Sequence, residues 1–380
     1  MEDLVMMTPS FWSGRRVFVT GHTGFKGSWL CLWLQRLGAQ VTGFSLDAPT
    51  QPSLFEEAEV AREIQHIVGD VRDAAALRNA IQHARPEVVF HLAAQSLVRQ
   101  SYADPVETYS TNVMGTVHVL DAARHVESVR AVVNVTTDKC YENLETRRAY
   151  IESDTLGGRD PYSNSKACSE LVTAAFRQSF FAHGHGHSDG TATRAGIASA
   201  RAGNVIGGGD WAVDRLVPDL LRAFDRGEPA IVRRPHAVRP WQHVLEPLAG
   251  YLALAERLHA QPEHYSGAWN FGPRPDDMRA VDEIAEALTS ALGEGASFVV
   301  QQEADAPHEA GLLLLDASKA RGELGWESLL KLEEALVWIA QWHRARQRGE
   351  SVRHITLEQI GQYEARIGRM TAHGATFAAG

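Results

Sequence analysis

Tyr162 and Lys166 stand four residues apart in Asp160-Pro161-Tyr162-Ser163-Asn164-Ser165-Lys166, and a helix beginning there carries a phenol and an ammonium along one face. An ammonium held near a phenol favours the phenolate, which makes a base of a group whose ordinary pKa is about 10. Tyr-x-x-x-Lys by itself is a common helical pair. It gains meaning from two other segments: the glycine-rich Gly21-His22-Thr23-Gly24-Phe25-Lys26-Gly27, and Thr136-Thr137-Asp138-Lys139 after an apolar run.

These residues need a scaffold, and the first half of the chain supplies one. Residues 16–20 read as a buried strand that runs into the glycine turn, after which Leu30, Trp33, Leu34 and Leu37 recur at helical spacing until Gly38. Further strands fit residues 40–46, 64–68, 88–93, 131–136 and 197–202, with helical patterns between several of them. That alternation predicts an α/β fold with a Rossmann-type, doubly wound parallel sheet. Glycines let the turn approach a pyrophosphate, whose charge is favoured by the free N–H groups of a helix N-terminus. The spacing of Gly21, Gly24 and Gly27 departs from the commoner Gly-x-Gly-x-x-Gly. Asp47, 20 residues past Gly27, is placed to accept from both ribose hydroxyls, which argues for NAD over NADP; the alternative is that it opens the turn at 47–50. Asp70 and Val71 after the third strand, and Leu92, Ala93 and Ala94 after the fourth, suit the adenine edge and the cofactor backbone, or simply end strands.

Composition sets wider bounds. A chain of 380 residues can bury a large core, as one big domain or two intimate ones. A formal charge of -10 with scattered basic residues argues against a nucleic-acid partner. Cys31, Cys140 and Cys168 are too few and too spread for a disulfide framework or a zinc ribbon, which points to a reducing cytoplasm and no metal centre. No signal peptide or membrane span is expected. The glycine-interrupted histidines of 183–190 read as a solvated insertion rather than a metal site.

Several longer blocks carry a resemblance. Thr20-Gly21-x-x-Gly24-x-x-Gly27, Asp70-Val71, His91-Leu92-Ala93-Ala94, Asn112-Val113-x-Gly115-Thr116 and Tyr162-x-x-x-Lys166 stand in the order found in extended short-chain dehydrogenase/reductases, the NAD-dependent epimerase/dehydratase superfamily. Val135 to Asn143, Arg201 to Trp211 and Val238 to Leu248 more narrowly resemble the CDP-glucose branch of its nucleotide-sugar 4,6-dehydratases. The resemblance implies tightly bound NAD, a CDP-glucose substrate, and a 4-keto-6-deoxy product destined for cell-surface deoxysugars such as those of lipopolysaccharide O-antigen. Gly21, Thr23, Gly24, Phe25, Lys26, Gly27, Asp47, Asp70, Val71, Leu92, Ala93, Ala94, Thr111, Tyr162 and Lys166 then fall to the cofactor. Tyr162 would take the C4 hydroxyl proton, Lys166 would hold the phenolate, Thr137 would orient the C4 oxygen, and Asp138 would protonate the departing C6 hydroxyl. Gln95, Ser96, Asn204, Arg234, Arg239 and His243 are the candidates for the substrate, arginine suiting phosphate through its bidentate fork. The superfamily's paired helices imply a homodimer or a larger homo-oligomer, built on 105–124 and 162–181.

Lys139 departs from the relatives that carry glutamate there as the C5 base. An ammonium accepts no proton, so Lys139 must be neutral when it acts, or the base is Glu142 or a water, with Lys139 left to anchor Asp138. The expected organisation is an NAD-binding unit over 14–207 with return segments near 243–273, an interleaved and mainly helical substrate cap over 208–350, and a tail over 351–380. Helices are expected at 216–226, 281–292, 332–346 and 357–367. A nucleotide-sugar epimerase or decarboxylase is the alternative enzyme, which Asp138 beside the threonine argues against. An inactive nucleotide sensor is the alternative of another class, against which Tyr162 and Lys166 both stand.

Overall fold

The computed structural model describes residues 7–181, 195–301 and 311–378. Its strands are, in chain order, β1 (Arg16–Thr20), β2 (Gln40–Ser45), β3 (Gln65–Val68), β4 (Val88–His91), β5 (Ala131–Val135), β6 (Gly196–Ala202), β7 (Asn204–Ile206), β8 (Ala230–Val232), β9 (Val238–His243), β10 (Gly267–Phe271), β11 (Met278–Ala280) and β12 (Phe298–Val300). Seven pair in the order β3-β2-β1-β4-β5-β6-β10, every pair parallel. The order reverses between β1 and β4, and a crevice at such a switch point is where α/β sheets bind ligands. The expected strands of this sheet are present within two residues of their predicted ends.

Parallel strands covered on both faces read as unbroken apolar runs, and β4 and β5 are buried at every position. Their side chains still alternate between two cores. Val17 and Val19 join Trp29, Trp33, Leu248 and Ile360 on one side, from helices Phe25–Arg36, Leu245–Ala260 and Val352–Ala378. Phe18 joins Leu77, Ile81 and Val119 on the other, from helices Ala74–Ala84 and Gly115–Arg124. The expected helix at 357–367 is thus part of a longer one docked on the core. Tyr363 stands edge-on to Trp33, and Glu364 accepts from Trp33 Nε1 at 3.0 Å.

The run expected at 105–124 is broken by a π turn at Ser110–Met114, and Pro161–Phe176 ends in another at Arg177–Phe181. After β6 the chain builds a third core from helices Leu216–Asp225, Val281–Leu292 and Leu332–Gln347, through Leu220, Leu221, Ile284, Leu288, Leu336 and Ile339. Two small sheets accompany it, β7-β9-β11 and β8-β12. β10 then returns to the large sheet beside β6, as the sequence led one to expect. The histidine-glycine segment 183–190 lies outside the described residues.

Candidate active site

A cleft of about 1250 Å³ opens over the carboxyl ends of the strands, between the large sheet and the helical cap. The glycine turn forms its floor. Gly21 has φ +74°, and a Cβ there would stand 2.6 Å from the backbone nitrogen of Ala93, so the loops after β1 and β4 meet backbone to backbone at the switch point. At Gly27 a Cβ would lie 2.1 Å from Gly21 O. Gly24 differs, because the nearest atom to its missing Cβ is Gly21 O at 3.4 Å, and it begins helix Phe25–Arg36 with no side chain capping the helix. Bare amides at the start of a 12-residue helix, under a residue that leaves room, fit a dinucleotide pyrophosphate. Thr23 Oγ1 donates to Leu46 O at 2.9 Å and pairs with Ser45 Oγ at 2.8 Å, which fixes the end of β2 where Asp47 stands exposed on the cleft wall. Asp70 is gripped by Arg72, side chain to side chain at 2.5 Å, and these bonds hold its carboxyl below the usual range. Val71, Leu92, Ala93, Ala94 and Thr111 complete this end of the cleft.

Deeper in, β5 ends in the turn Asp138–Cys140, which faces the start of helix Pro161–Phe176. Asp160 caps that helix, accepting from Ser163 N at 2.9 Å, and Pro161 sets its first turn. Thr137 Oγ1 donates to Asp138 Oδ1 at 3.0 Å, and Thr137 lines the same cleft as Tyr162. Asp138 is buried, and its Oδ2 has no hydrogen-bond partner among the described residues. Burial raises its pKa in spite of Lys139, Arg239 and Lys26 nearby. Burial also pushes the Tyr162 phenol up to about 12, opposed by Thr137 and by the charge of Arg215. Lys26 is pushed down to about 8, by burial and then by the charges of Arg215 and Lys166.

Profile comparison places residues 18–337 in the family described as GDP-mannose 4,6 dehydratase. The chain belongs to that family. It is 52% identical over 358 residues to the CDP-glucose 4,6-dehydratase of Salmonella typhimurium, covering 94% of this chain and 98% of that protein. Identity to the probable dTDP-glucose 4,6-dehydratase of Sinorhizobium fredii is 26% over 343 residues, 86% of this chain and 92% of the other. Among solved structures, the dTDP-glucose 4,6-dehydratase of Streptomyces venezuelae with NAD bound superposes with a TM-score of 0.73 at 23% identity, over 89% of this chain and 99% of that one, a likeness of fold.

In this member of the 4,6-dehydratase family the cleft is lined by Thr137, Asp138, Lys139 and Tyr162, and also by Asn204, Arg234 and Arg239. Other expectations need correction. Lys166 does not line the cleft: it is buried behind the wall, its Nζ donating to Val135 O at 2.9 Å, and the charge of Arg215 also bears on Tyr162. Gln95 lines the cleft, but its amide is spent on its own loop, accepting from Leu97 N at 2.6 Å and donating to Thr108 Oγ1 at 2.9 Å. Ser96 accepts from Arg215 Nη2 at 3.1 Å. His243 lies outside the cleft, sealed between the rings of Trp29 and Trp338, where burial pushes its pKa down to about 3. Glu142 is exposed and lies away from the cleft, which removes it as a C5 base.

Arg215 was not foreseen. It bridges Ser96 on the sheet side and the buried Asp210 on the cap side, at 3.1 and 3.0 Å. Nothing in the sequence sets it apart from the chain's other arginines, because its partner Ser96 lies 119 residues away along the chain.

Proposed function

We propose that this chain is a CDP-glucose 4,6-dehydratase that converts CDP-D-glucose into CDP-4-keto-6-deoxy-D-glucose and water. The observation that carries dehydration is Asp138, a buried acid with one oxygen bonded to Thr137 and the other unpartnered, in the cleft that Tyr162 also lines. Likeness to the Salmonella enzyme over nearly the whole chain carries the choice of cytidine.

Gly21, Thr23, Gly24, Phe25, Lys26 and Gly27 would hold the pyrophosphate of NAD, Asp47 its adenosine ribose, Asp70 and Val71 its adenine edge, and Leu92, Ala93, Ala94 and Thr111 the path between. Bound NAD would supply a cationic hydride acceptor for C4 and, once reduced, the hydride donor for C6, so that no external oxidant would be consumed. Tyr162 Oη takes the proton of the C4 hydroxyl, and Thr137 Oγ1 orients the C4 oxygen. The resulting C4 carbonyl makes the C5 proton acidic. Lys139, in its neutral form, removes that proton while Asp138 Oδ2 protonates the C6 hydroxyl as it leaves as water, and the Lys139 ammonium returns a proton to C5 as hydride is added at C6. Arg234 and Arg239 suit the substrate diphosphate, and Asn204 the sugar. Lys166 acts from behind Tyr162.

The same reading takes 14–207 with the 243–273 return as the NAD-binding unit and 208–350 as the cap. It pairs two copies through the helices of 105–124 and 161–181, where Val106, Tyr109, Met114 and Leu171 are exposed. It places the enzyme in the cytoplasm, making a precursor of cell-surface deoxysugars; among the described residues no helix is long and apolar enough to cross a membrane. The test is incubation with CDP-, dTDP-, GDP- and UDP-glucose, reading the absorbance that 4-keto sugars develop in strong alkali. CDP-glucose should be turned over fastest, and preference for another nucleotide would overturn the cytidine assignment.

A further inference from the structure

Behind the cleft wall lies an ion pair that the chemistry above does not use. Glu170 follows Lys166 by one helical turn, as Lys166 follows Tyr162, so the three share one face of helix Pro161–Phe176. Glu170 and Arg201 are each 3% exposed. Glu170 Oε1 accepts from Thr136 Oγ1 at 2.5 Å and from Arg201 Nε at 3.0 Å. Its Oε2 accepts from Ser199 Oγ at 2.5 Å and from Arg201 Nη2 at 2.8 Å. Arg201 Nη1 in turn donates to the Tyr141 hydroxyl at 2.8 Å and to Glu152 O at 3.0 Å. Thr136 immediately precedes Thr137, and Tyr141 immediately follows Cys140. The pair therefore holds the catalytic turn at both ends. Buried ion pairs are often no better for stability than apolar replacements of similar size, so stability alone does not account for this one.

We propose that Glu170 and Arg201 are positioning residues for the reaction: they clamp the turn 137–140 from Thr136 and Tyr141, and Glu170 sets a negative charge one helical turn from Lys166. The inference rests on the dehydratase reading for its kinetics but not for its spectroscopy. Lys166 is buried with Val135 O as its hydrogen-bond acceptor, and burial pushes its pKa down to about 8. Glu170 holds it up, and Lys166 adds to burial in depressing His91 and Lys26. Glu170 itself stays a carboxylate, held below the usual range by Arg201, Ser199 and Thr136 against the effect of burial.

With five lysines in the chain, lysine labelled with carbon-13 gives a spectrum simple enough to titrate. The Lys166 resonance is identified by its loss in Lys166→Met. In the unsubstituted protein it should titrate near 8. Glu170→Gln should move that titration down by about one to two pH units, and the alkaline limb of kcat with it. Thr136→Val, which cuts one arm of the clamp and no charge, should lower kcat and leave the limb in place. If Glu170→Gln fails to fold because Arg201 is left unpaired, the balanced Glu170→Gln/Arg201→Gln variant should show the same shift. A folded variant whose Lys166 titrates as before overturns the proposal, and so does a Lys166 already neutral below pH 7 in the unsubstituted protein. Failure of the unsubstituted protein to turn over CDP-glucose would count against the dehydratase reading alone, since the titration is read without substrate.

Discussion

Two carboxyl groups sit near the end of β5, both almost wholly buried, and their surroundings shift their pKa values in opposite directions. Glu170, behind, receives four hydrogen bonds and a guanidinium, and its pKa is lowered. Asp138, in front, receives one hydrogen bond from Thr137, keeps one oxygen unpartnered, and its pKa is raised. Burial is the same in kind for both. What differs is the number of donors aimed at each and whether a cation touches it, so the charged form is favoured in one carboxyl and disfavoured in the other.

Glu246 falls between them and shows that donors without a bonded cation are not enough. It accepts from Leu329 N, Leu330 N and the Tyr363 hydroxyl, all neutral, and burial pushes it up to about 7.

The comparison is broken most severely at Tyr162, whose phenol is pushed up by burial and must be deprotonated during turnover. Tyr162→Phe should lower kcat by about 10³-fold or more, the upper part of the range for general acid–base catalysis, with the fold unchanged by circular dichroism. Residual turnover within tenfold of the unsubstituted enzyme would remove it as the base. Next comes Glu170→Met, which leaves Arg201 buried and unpaired; urea unfolding should show a loss of about 3–5 kcal/mol, and a loss under about 1 kcal/mol would mean that the pair is not charged.

Glu246 sharpens the comparison through pH. Its folded pKa of about 7 exceeds the ordinary 4.5, so the folded chain keeps a proton that the unfolded chain releases. Stability must then fall as pH rises from about 4.5 to 7, by roughly 3 kcal/mol from this group. Glu256, also pushed up to about 7 with Thr8 N and Trp12 Nε1 as donors, contributes in the same sense. Glu246→Gln should remove about half of the slope contributed by the two groups, and an unchanged slope would contradict the assignment. The smallest effect is at Lys139. Lys139→Met should slow turnover by about 10²-fold and stop solvent deuterium entering C5, whereas Lys139→Glu should keep part of both. Normal C5 exchange in Lys139→Met would pass the base role to a water.

What could be read in the sequence was what the backbone alone dictates. The glycine turn, the strand alternation and the return of β10 follow from spacing and from runs such as Val88 to His91, and the structure places them within a residue or two. Charge states and partners were not legible, because they depend on side chains brought together from distant segments. Arg215 reaches Ser96 over 119 residues of chain, and Thr136 reaches Glu170 over 34. His243 misled for the same reason: it belongs to a block rich in polar residues, but Trp29 and Trp338 enclose it from elsewhere in the sequence. Lys166 was read correctly as to its face of the helix. Its depth was not, since helical spacing sets direction and leaves burial open.

The role of Asp138 as proton donor is tested most directly by single-turnover absorbance of reduced nicotinamide in Asp138→Asn mixed with CDP-glucose. Oxidation at C4 should proceed, because Tyr162 and Thr137 are intact, and loss of water should slow by about 10²-fold or more, so the reduced-nicotinamide signal should rise and persist. A signal that decays as fast as in the unsubstituted enzyme, with 4-keto-6-deoxy sugar formed at the normal rate, would contradict the account.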